Sequence, residues 1–323
     1  MTTSPTVGFL ERHQTAIYLL GLAGGALVGV AAPGASPGFG RMIEPVLALL
    51  LYATFRQVPF TEVTGALRGG RFLVALLLVN FVAAPVVVFG LARFVDGGLP
   101  VLIAVLLVLL TPCVDYVIVF SGLAGAASTR LLAATPLLML GQMLLLPVYL
   151  LLLVGPELAG VFAPGPFIRA FVVLIVIPMT LAVLTELLAA RRRVGGQITR
   201  GLTAMMVPLL AATLFVVAAS QLPPVRDHLD AVVRVVPIYL AFALTMAGIG
   251  GLAARLVRLD PPAGRAVVFS GVTRNSLVVL PLALALPAGF EIAPAIVITQ
   301  TLFELVVMGV LVRLVPRMLP TPH

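Results

Sequence analysis

Residues 101–126, VLIAVLLVLLTPCVDYVIVFSGLAGA, are the most informative part of the chain about its architecture. It is long and apolar enough to cross a lipid bilayer, for which roughly 20 apolar residues are needed. Its centre nevertheless carries Thr111, Pro112 and Asp115. Because proline removes one backbone donor and clashes with the preceding turn, the helix should kink or unwind at Pro112 and leave carbonyl groups without partners. The stretch therefore predicts an interrupted transmembrane helix.

The composition of the whole chain is also that of a membrane protein. Of the 323 residues, 61% are hydrophobic and 10% are charged, whereas about a quarter of a soluble domain is charged. Because the apolar segments are apolar all round, they indicate helices rather than barrel strands, and the predicted fold class is all-α. Ten candidate spans occur at about residues 16–32, 43–56, 72–94, 101–126, 130–154, 167–187, 203–222, 230–253, 265–287 and 292–314.

The charge pattern predicts the orientation of these spans. The formal net charge is +8, and every basic residue is arginine. Fourteen arginines lie in segments on one side of the predicted membrane and five on the other, while Arg274 lies inside a span. Since arginines in short loops stay in the cytoplasm, we expect an inner-membrane protein with both termini cytoplasmic. This distribution also makes nucleic-acid binding an unattractive explanation of the positive charge.

The two halves of the chain form a repeat. A shift of 158 residues aligns residues 72–94 with 230–252 and Gln142 with Gln300. Five helices in each half is an odd number, so the second half must enter the membrane inverted. The sequence therefore predicts one transporter over residues 1–323, with a first repeat at about 16–154 and a second at about 167–314.

The same shift aligns the two places where spans are interrupted. It carries Pro112 of the fourth span onto residues 269–271 of the ninth, just before the polar run Thr273-Arg274-Asn275-Ser276. Secondary transporters with inverted repeats bind substrate near the midplane, between broken helices. Spans four and nine are therefore expected to form the substrate site.

Three charged residues fall near the middle of the spans. Asp115, Arg274 and Glu304 each cost at least about 2.5 kcal/mol to bury in a membrane, so each needs a partner, water or a function. Asp115 and Arg274 have opposite charges at similar depths of the two broken spans, and we expect them to form an ion pair. That pair would bind substrate or only fix the packing of the two helices.

Two residues of the tenth span are candidates for ion coupling. Gln300 and Glu304 are four residues apart and share one helix face. Glu304 suits proton coupling, because desolvation favours the protonated form of a carboxylate. Its oxygens, with those of Gln300 and Asn275, would alternatively bind sodium, and a plain packing role for Glu304 is the third interpretation.

Cys113 is the only cysteine, so no internal disulfide is possible. It follows the helix-breaking proline, where a thiolate would be a soft ligand for a soft element; the alternative is a small packing residue. The sequence has no P-loop, and its histidines, His13, His228 and His323, lie outside the spans. No enzyme activity and no cofactor are expected.

Three motifs resemble the arsenite permease branch of the bile acid/sodium symporter (bile acid/arsenite/riboflavin transporter) superfamily. They are Thr111-Pro112-Cys113 in the fourth span, Val79-Asn80-Phe81-Val82-Ala83-Ala84-Pro85 in the third, and Tyr52-Ala53-Thr54-Phe55-Arg56-Gln57-Val58 at the end of the second. The resemblance implies a core in which helices four and nine cross at unwound centres, beside a panel of helices one, two, six and seven.

The resemblance also implies a function. It implies export of arsenite, and of antimonite, in exchange for protons, with Cys113 as a transient ligand of arsenic(III) and Glu304 as the coupling acid. Substrate-binding candidates are then Cys113, Asp115, Arg274 and Asn275, with Gln300 and Glu304 for ion coupling.

This chain departs from the family pattern around its charged residues. Val114 and Asp115 follow the Pro-Cys pair, where the family usually has small uncharged residues. In the ninth helix Arg274 is added before Asn275, and the acid that the family usually carries shortly after this asparagine is missing. A sodium-coupled symporter of an organic anion, with Arg274 binding a carboxylate or sulfonate, is therefore the alternative. A membrane receptor or scaffold without flux is a third class, disfavoured by the lack of a soluble signalling domain.

Overall fold

Nearly all of the described chain is helical. A computed structural model describes residues 5–57, 70–114, 116–155, 169, 172–190 and 195–321. The helices are α1 Pro5–Ala31, α2 Ser36–Gln57, α3 Gly70–Ala92, α4 Gly98–Leu109, α5 Tyr116–Leu123, α6 Ser128–Val154, α7 Ile177–Ala190, α8 Gly195–Asp227, α9 Leu229–Leu256, α10 Pro261–Val272, α11 Ser276–Leu284 and α12 Ala293–Met318. The described part of the chain has no named strand. The all-α prediction is confirmed at this level.

Several helices can cross a membrane. Within the described ranges, four are long and apolar enough by themselves, and the two parts of α6, bent by 45° against each other, make a fifth if they are counted as one span. Large apolar side chains cover much of the helix surface: Leu20, Leu27, Leu144 and Leu152 are 71–74% exposed. Such a surface is suited to lipid rather than water. The four single spans are Pro33–Arg56, Gly70–Ala92, Leu229–Leu256 and Ala293–Met318.

The helices divide into two compact units. The first contains α1, α2, α7 and α8, and the second contains α3 to α6 and α9 to α12. In the first unit, the long helix α8 packs against both α1 and α2, and α2 also packs against α7. The hydroxyls of Tyr52 and Thr185 join α2 to α7 at 3.1 Å.

Glycines allow α1 to approach α8 closely. Gly21, Gly25 and Gly29 repeat every four residues and therefore lie on one face of the helix. A Cβ atom at Gly21 would lie 2.6 Å from the Ala211 carbonyl oxygen, and one at Gly29 would lie 3.1 Å from that of Ala219. Small residues at this spacing let the backbones of membrane helices come into direct contact.

The Gly25→Ala variant is expected to destabilise the first unit, because its Cβ would lie 2.8 Å from the Phe215 Cα and carbonyl carbon and still closer to the carbonyl oxygen. Overpacking of this kind costs about 1–3 kcal/mol, which thermal unfolding in detergent micelles would detect. The matched control is Gly24→Ala, whose Cβ would meet only the Phe215 ring at an ordinary 3.5 Å. Equal melting temperatures for the two variants would contradict this account.

In the second unit, three of the shorter helices are the most deeply buried. In α10 every residue from Ala263 to Val272 is buried, and so is every residue of α11 from Ser276 to Ala283. Most of α4 is buried as well. Helices that are apolar all round belong in such a position. Longer helices of the unit, including α3, α9 and α12, pack against them.

A π-helical turn interrupts α3 at Val79–Ala83. Asn80 within this turn donates from Nδ2 to the Ser270 hydroxyl of α10 at 2.9 Å and to the Leu76 carbonyl at 3.0 Å. The Tyr149 hydroxyl of α6 donates to the Phe81 carbonyl at 2.6 Å. The turn therefore attaches α3 to both α6 and α10.

The second helix break differs from the alignment-based prediction. The 158-residue shift placed it at residues 269–271, which are helical in α10, whereas the helix ends at Val272. The break occupies Thr273 to Asn275, the polar run itself, four residues beyond the aligned position. An alignment by one constant shift averages over loops of different length and so misses the local register.

Candidate functional site

The two helix breaks of the second unit meet in a short antiparallel crossing. Two short non-helical segments form it through one isolated bridge, in which Pro112 stands opposite Arg274. We call the segment between α4 and α5 the first strand of the crossing and the segment between α10 and α11 the second strand. The Cys113 amide donates to the Thr273 carbonyl at 3.3 Å, and the Asn275 amide donates to the Thr111 carbonyl at 2.8 Å. These bonds satisfy backbone groups that the broken helices leave without partners.

Pro112 is compatible with this pairing. It occupies the position of the antiparallel pair whose own N–H takes no part in the ladder, so its missing donor breaks no bond. Arg274, in the facing position, does have an N–H, and that amide donates to Glu304 Oε2 of α12 at 2.8 Å. This bond attaches the crossing to α12 through Arg274.

A threonine closes the helix before each strand of the crossing. Thr111 Oγ1 donates to the Leu107 carbonyl, and Thr273 Oγ1 donates to the Phe269 carbonyl, both at 2.8 Å. Both threonines are fully buried. Each hydroxyl donates to a carbonyl of the last helical turn, so α4 and α10 end with the same side-chain to backbone hydrogen bond.

Asn275 begins α11 as its N-cap. Its Oδ1 accepts a hydrogen bond from the Val278 amide at 3.2 Å, while its Nδ2 makes no hydrogen bond within the described residues. Asn275 Oδ1, which the sequence suggested as a sodium ligand, therefore already accepts a hydrogen bond from the first turn of α11.

Cys113 lies within the first strand of the crossing and is fully buried. Cys113 and Glu304 are both close enough to Arg274 to interact with it electrostatically. The structure thus brings together Cys113, Arg274, Asn275 and Glu304. Asp115 lies outside the described residues, so its predicted ion pair with Arg274 stays a prediction.

The Arg274 side chain is fully buried at the crossing. Nη2 donates to the Gly271 carbonyl, and Cζ lies 4.9 Å from the centre of the Phe242 ring, in a cation–π contact. Nε and Nη1 make no hydrogen bond with any described residue. Two donors of this permanent cation are therefore not used by the described residues.

Gln300 and Glu304 are buried one turn apart on α12. Glu304 Oε2 accepts from Gln300 Nε2 in addition to the Arg274 amide. The Oε1 atoms of both residues accept no hydrogen bond within the described part of the chain. A buried acceptor without a partner is costly, so these two oxygens mark a place for a proton, a cation or a solute donor.

A small cavity lies beside the crossing. It is bounded by the ends of α4 and α10, at Leu109 and Val272, and by Phe242 of α9. Gln300 and Glu304 supply polar groups to its wall, and Cys113 does not line it. The described residues contain no cluster of three or more His, Cys, Asp or Glu side chains suited to a metal ion.

Several residues around the site were not among the candidates predicted from the sequence. The Tyr116 hydroxyl donates to the Arg274 carbonyl at 3.4 Å, and the Thr301 hydroxyl contacts that of Ser276 at 2.6 Å. Tyr116 and Ser276 directly follow the breaks, which is a signal that was available. Phe242 lies in an unremarkable apolar run, and no sequence signal marks it.

Comparison with known proteins identifies the class of this protein. The model of the Sodium Bile acid symporter family matches residues 44–226, more than half of the chain. The chain therefore belongs to the Sodium Bile acid symporter family. Its members are transporters and not enzymes; they are embedded in the membrane and move a small solute together with a coupling ion. No curated protein matches the chain significantly.

The family match covers one part of the candidate site. Cys113 lies inside the matched range, whereas Arg274, Asn275 and Glu304 lie beyond its end. The family membership therefore supports a multi-pass transporter of the bile acid/sodium symporter type. The assignment of the second-strand residues to the candidate site depends on the geometry of the crossing alone.

Proposed function

We propose that this protein exports arsenite, and antimonite, across the cytoplasmic membrane in exchange for protons. The observation that carries the proposal is the position of Cys113, the only thiol of the chain, within the crossing of the two broken helices. Trivalent arsenic binds thiols, and its hydroxide is mostly uncharged at neutral pH. A single cysteine would hold it briefly without trapping it, as repeated transport requires.

In this proposal the chain folds as a ten-helix inverted repeat. The paired breaks that follow α4 and α10 support two related halves, at about residues 16–154 and 167–314 of a single transporter. The division into two units supports it too, because α1, α2, α7 and α8 correspond to spans one, two, six and seven of the expected panel. Both termini are assigned to the cytoplasm from the arginine distribution.

Glu304 is proposed to couple proton movement to the crossing. Its Oε2 accepts the Arg274 amide, and its Oε1 has no partner in the described residues. Protonation removes the negative charge that strengthens the first bond and supplies a donor at the carboxyl group. The protonation state of Glu304 therefore alters how firmly α12 holds the second strand, while Gln300 orients the carboxyl group.

Uptake into everted membrane vesicles tests this function. Arsenite should accumulate inside vesicles loaded at acidic pH and placed in more alkaline medium, and an imposed sodium gradient should not replace the proton gradient. The control is vesicles from the same host without the protein. Absence of arsenite movement under both gradients would reject arsenite export.

Sodium-coupled transport of an organic anion is the second candidate function. It is favoured by Arg274 Nε and Nη1, two buried donors without a partner in the described residues, which suit a carboxylate or sulfonate. Anion uptake driven by sodium and unaffected by Cys113→Ser would select this function.

A further inference from the structure

The positive charge of Arg274 stands at the carboxyl end of a broken helix. The guanidinium binds the carbonyl of Gly271, one of the last four in α10, which have no partner within the helix. This end of a helix carries partial negative charge. In transporters with discontinuous helices, such ends and the unwound carbonyls beside them coordinate the coupling cation.

The surroundings of Arg274 are those of a cation site. Besides the Gly271 carbonyl, the π face of Phe242 lies 4.9 Å from Cζ, and the negative face of an aromatic ring attracts cations. Glu304 interacts with Arg274 electrostatically. The side chain is fully buried, and a guanidinium does not lose its proton in proteins. A permanent, covalently attached cation therefore occupies the position.

We propose that Arg274 is a resident cation that takes the place of a mobile coupling cation at the crossing, so that transport by this chain does not need sodium. The conclusion that transport does not need sodium rests on the proposed function. The conclusion that Arg274 occupies a cation position is independent of that function, because it can be tested without any substrate. Removing the side chain should leave a site that a small cation from solution fills.

Thermal unfolding of the purified full-length protein in detergent tests the inference. The unaltered protein should melt at the same temperature in sodium chloride and in choline chloride. Arg274→Ala should melt lower in choline chloride and should gain at least about 3 °C on addition of sodium chloride or methylguanidinium chloride, since a ligand that binds only the folded state raises its stability. Arg274→Lys, which retains a charge, should respond less.

The control variant is Arg130→Ala. Arg130 belongs to the same unit but is exposed, and it pairs with Asp260 at 2.9 Å. Arg130→Ala should melt at the same temperature in sodium, methylguanidinium and choline chloride, because all three salts screen charges equally and no buried cation position has been opened.

Two results would overturn the inference: a folded Arg274→Ala variant with equal melting temperatures in all three salts, or an unaltered protein that sodium stabilises as strongly as the variant. If the alanine variant does not fold, Arg274→Met retains apolar bulk without charge and is judged by the same criteria. Rescue by small cations combined with a lack of arsenite movement would retain the inference and reject the proposed function.

Discussion

Replacing Cys113 by serine is expected to reduce arsenite uptake into everted vesicles by at least about tenfold. Losing even the groups that orient a ligand residue costs about 10- to 100-fold in affinity or activity, and this change removes the proposed ligand itself. Serine retains the small size of the side chain but offers a hard oxygen in place of the soft sulfur. The backbone bond from residue 113 to Thr273 does not depend on the side chain.

A matched variant separates loss of the thiol from loss of packing. Val108→Ala alters a fully buried residue of α4, one turn before the break. It should lower the melting temperature and leave most of the uptake per folded molecule. Retention of full uptake by Cys113→Ser would show that the thiol does not bind arsenite, and the anion function would then become the better explanation.

Replacing Glu304 by glutamine is expected to remove proton-driven uptake, again by at least about tenfold, because positioned proton transfer contributes about 10²- to 10⁴-fold in systems that depend on it. Glutamine has nearly the same shape and retains an oxygen that can accept the Arg274 amide, which Glu304 binds at 2.8 Å. It carries no titratable proton. Vesicles assayed over a series of internal and external pH values should therefore lose their response to the gradient.

The readout that distinguishes coupling from structure is downhill arsenite movement without a proton gradient. A coupling role predicts that Glu304→Gln remains folded and still moves arsenite down its concentration gradient, while proton-driven accumulation is lost. The control is Glu291→Gln, an exposed acid whose carboxylate accepts the Gly289 amide at 2.9 and 3.0 Å in the loop before α12. A gradient response unchanged in Glu304→Gln would exclude this residue as the coupling acid.

Much of the fold was predictable because it depends on local properties of the chain. Runs of apolar residues predicted helices close to the observed bounds, for example 230–253 for α9 at Leu229–Leu256 and 292–314 for α12 at Ala293–Met318. A proline inside such a run predicted the end of α4. These features need no knowledge of distant contacts, since each follows from the chemistry of neighbouring residues.

The candidate site was predictable as a set of residues but not as a geometry. Buried charge is expensive in a membrane, so Arg274 and Glu304 were recognisable as functional candidates. That Glu304 would bind the backbone amide of Arg274 was not predictable. This bond depends on the rotation of α12 against the break, which a sequence pattern does not encode. The Asn275 cap of α11 is a local bond to Val278 and needed only the position of the helix start.

Hydropathy and the missing proline donor act locally, so the amino-acid sequence is enough to specify a helical membrane protein whose fourth span is interrupted near Pro112. The position of Pro112 opposite Arg274, and the bond from the guanidinium to the end of α10, depend on how the helices pack. Backbone groups left unpaired at each break need hydrogen-bond partners in a nonpolar interior, and each break supplies partners to the other. The pairing of residues so distant in the chain is a property of the packed molecule.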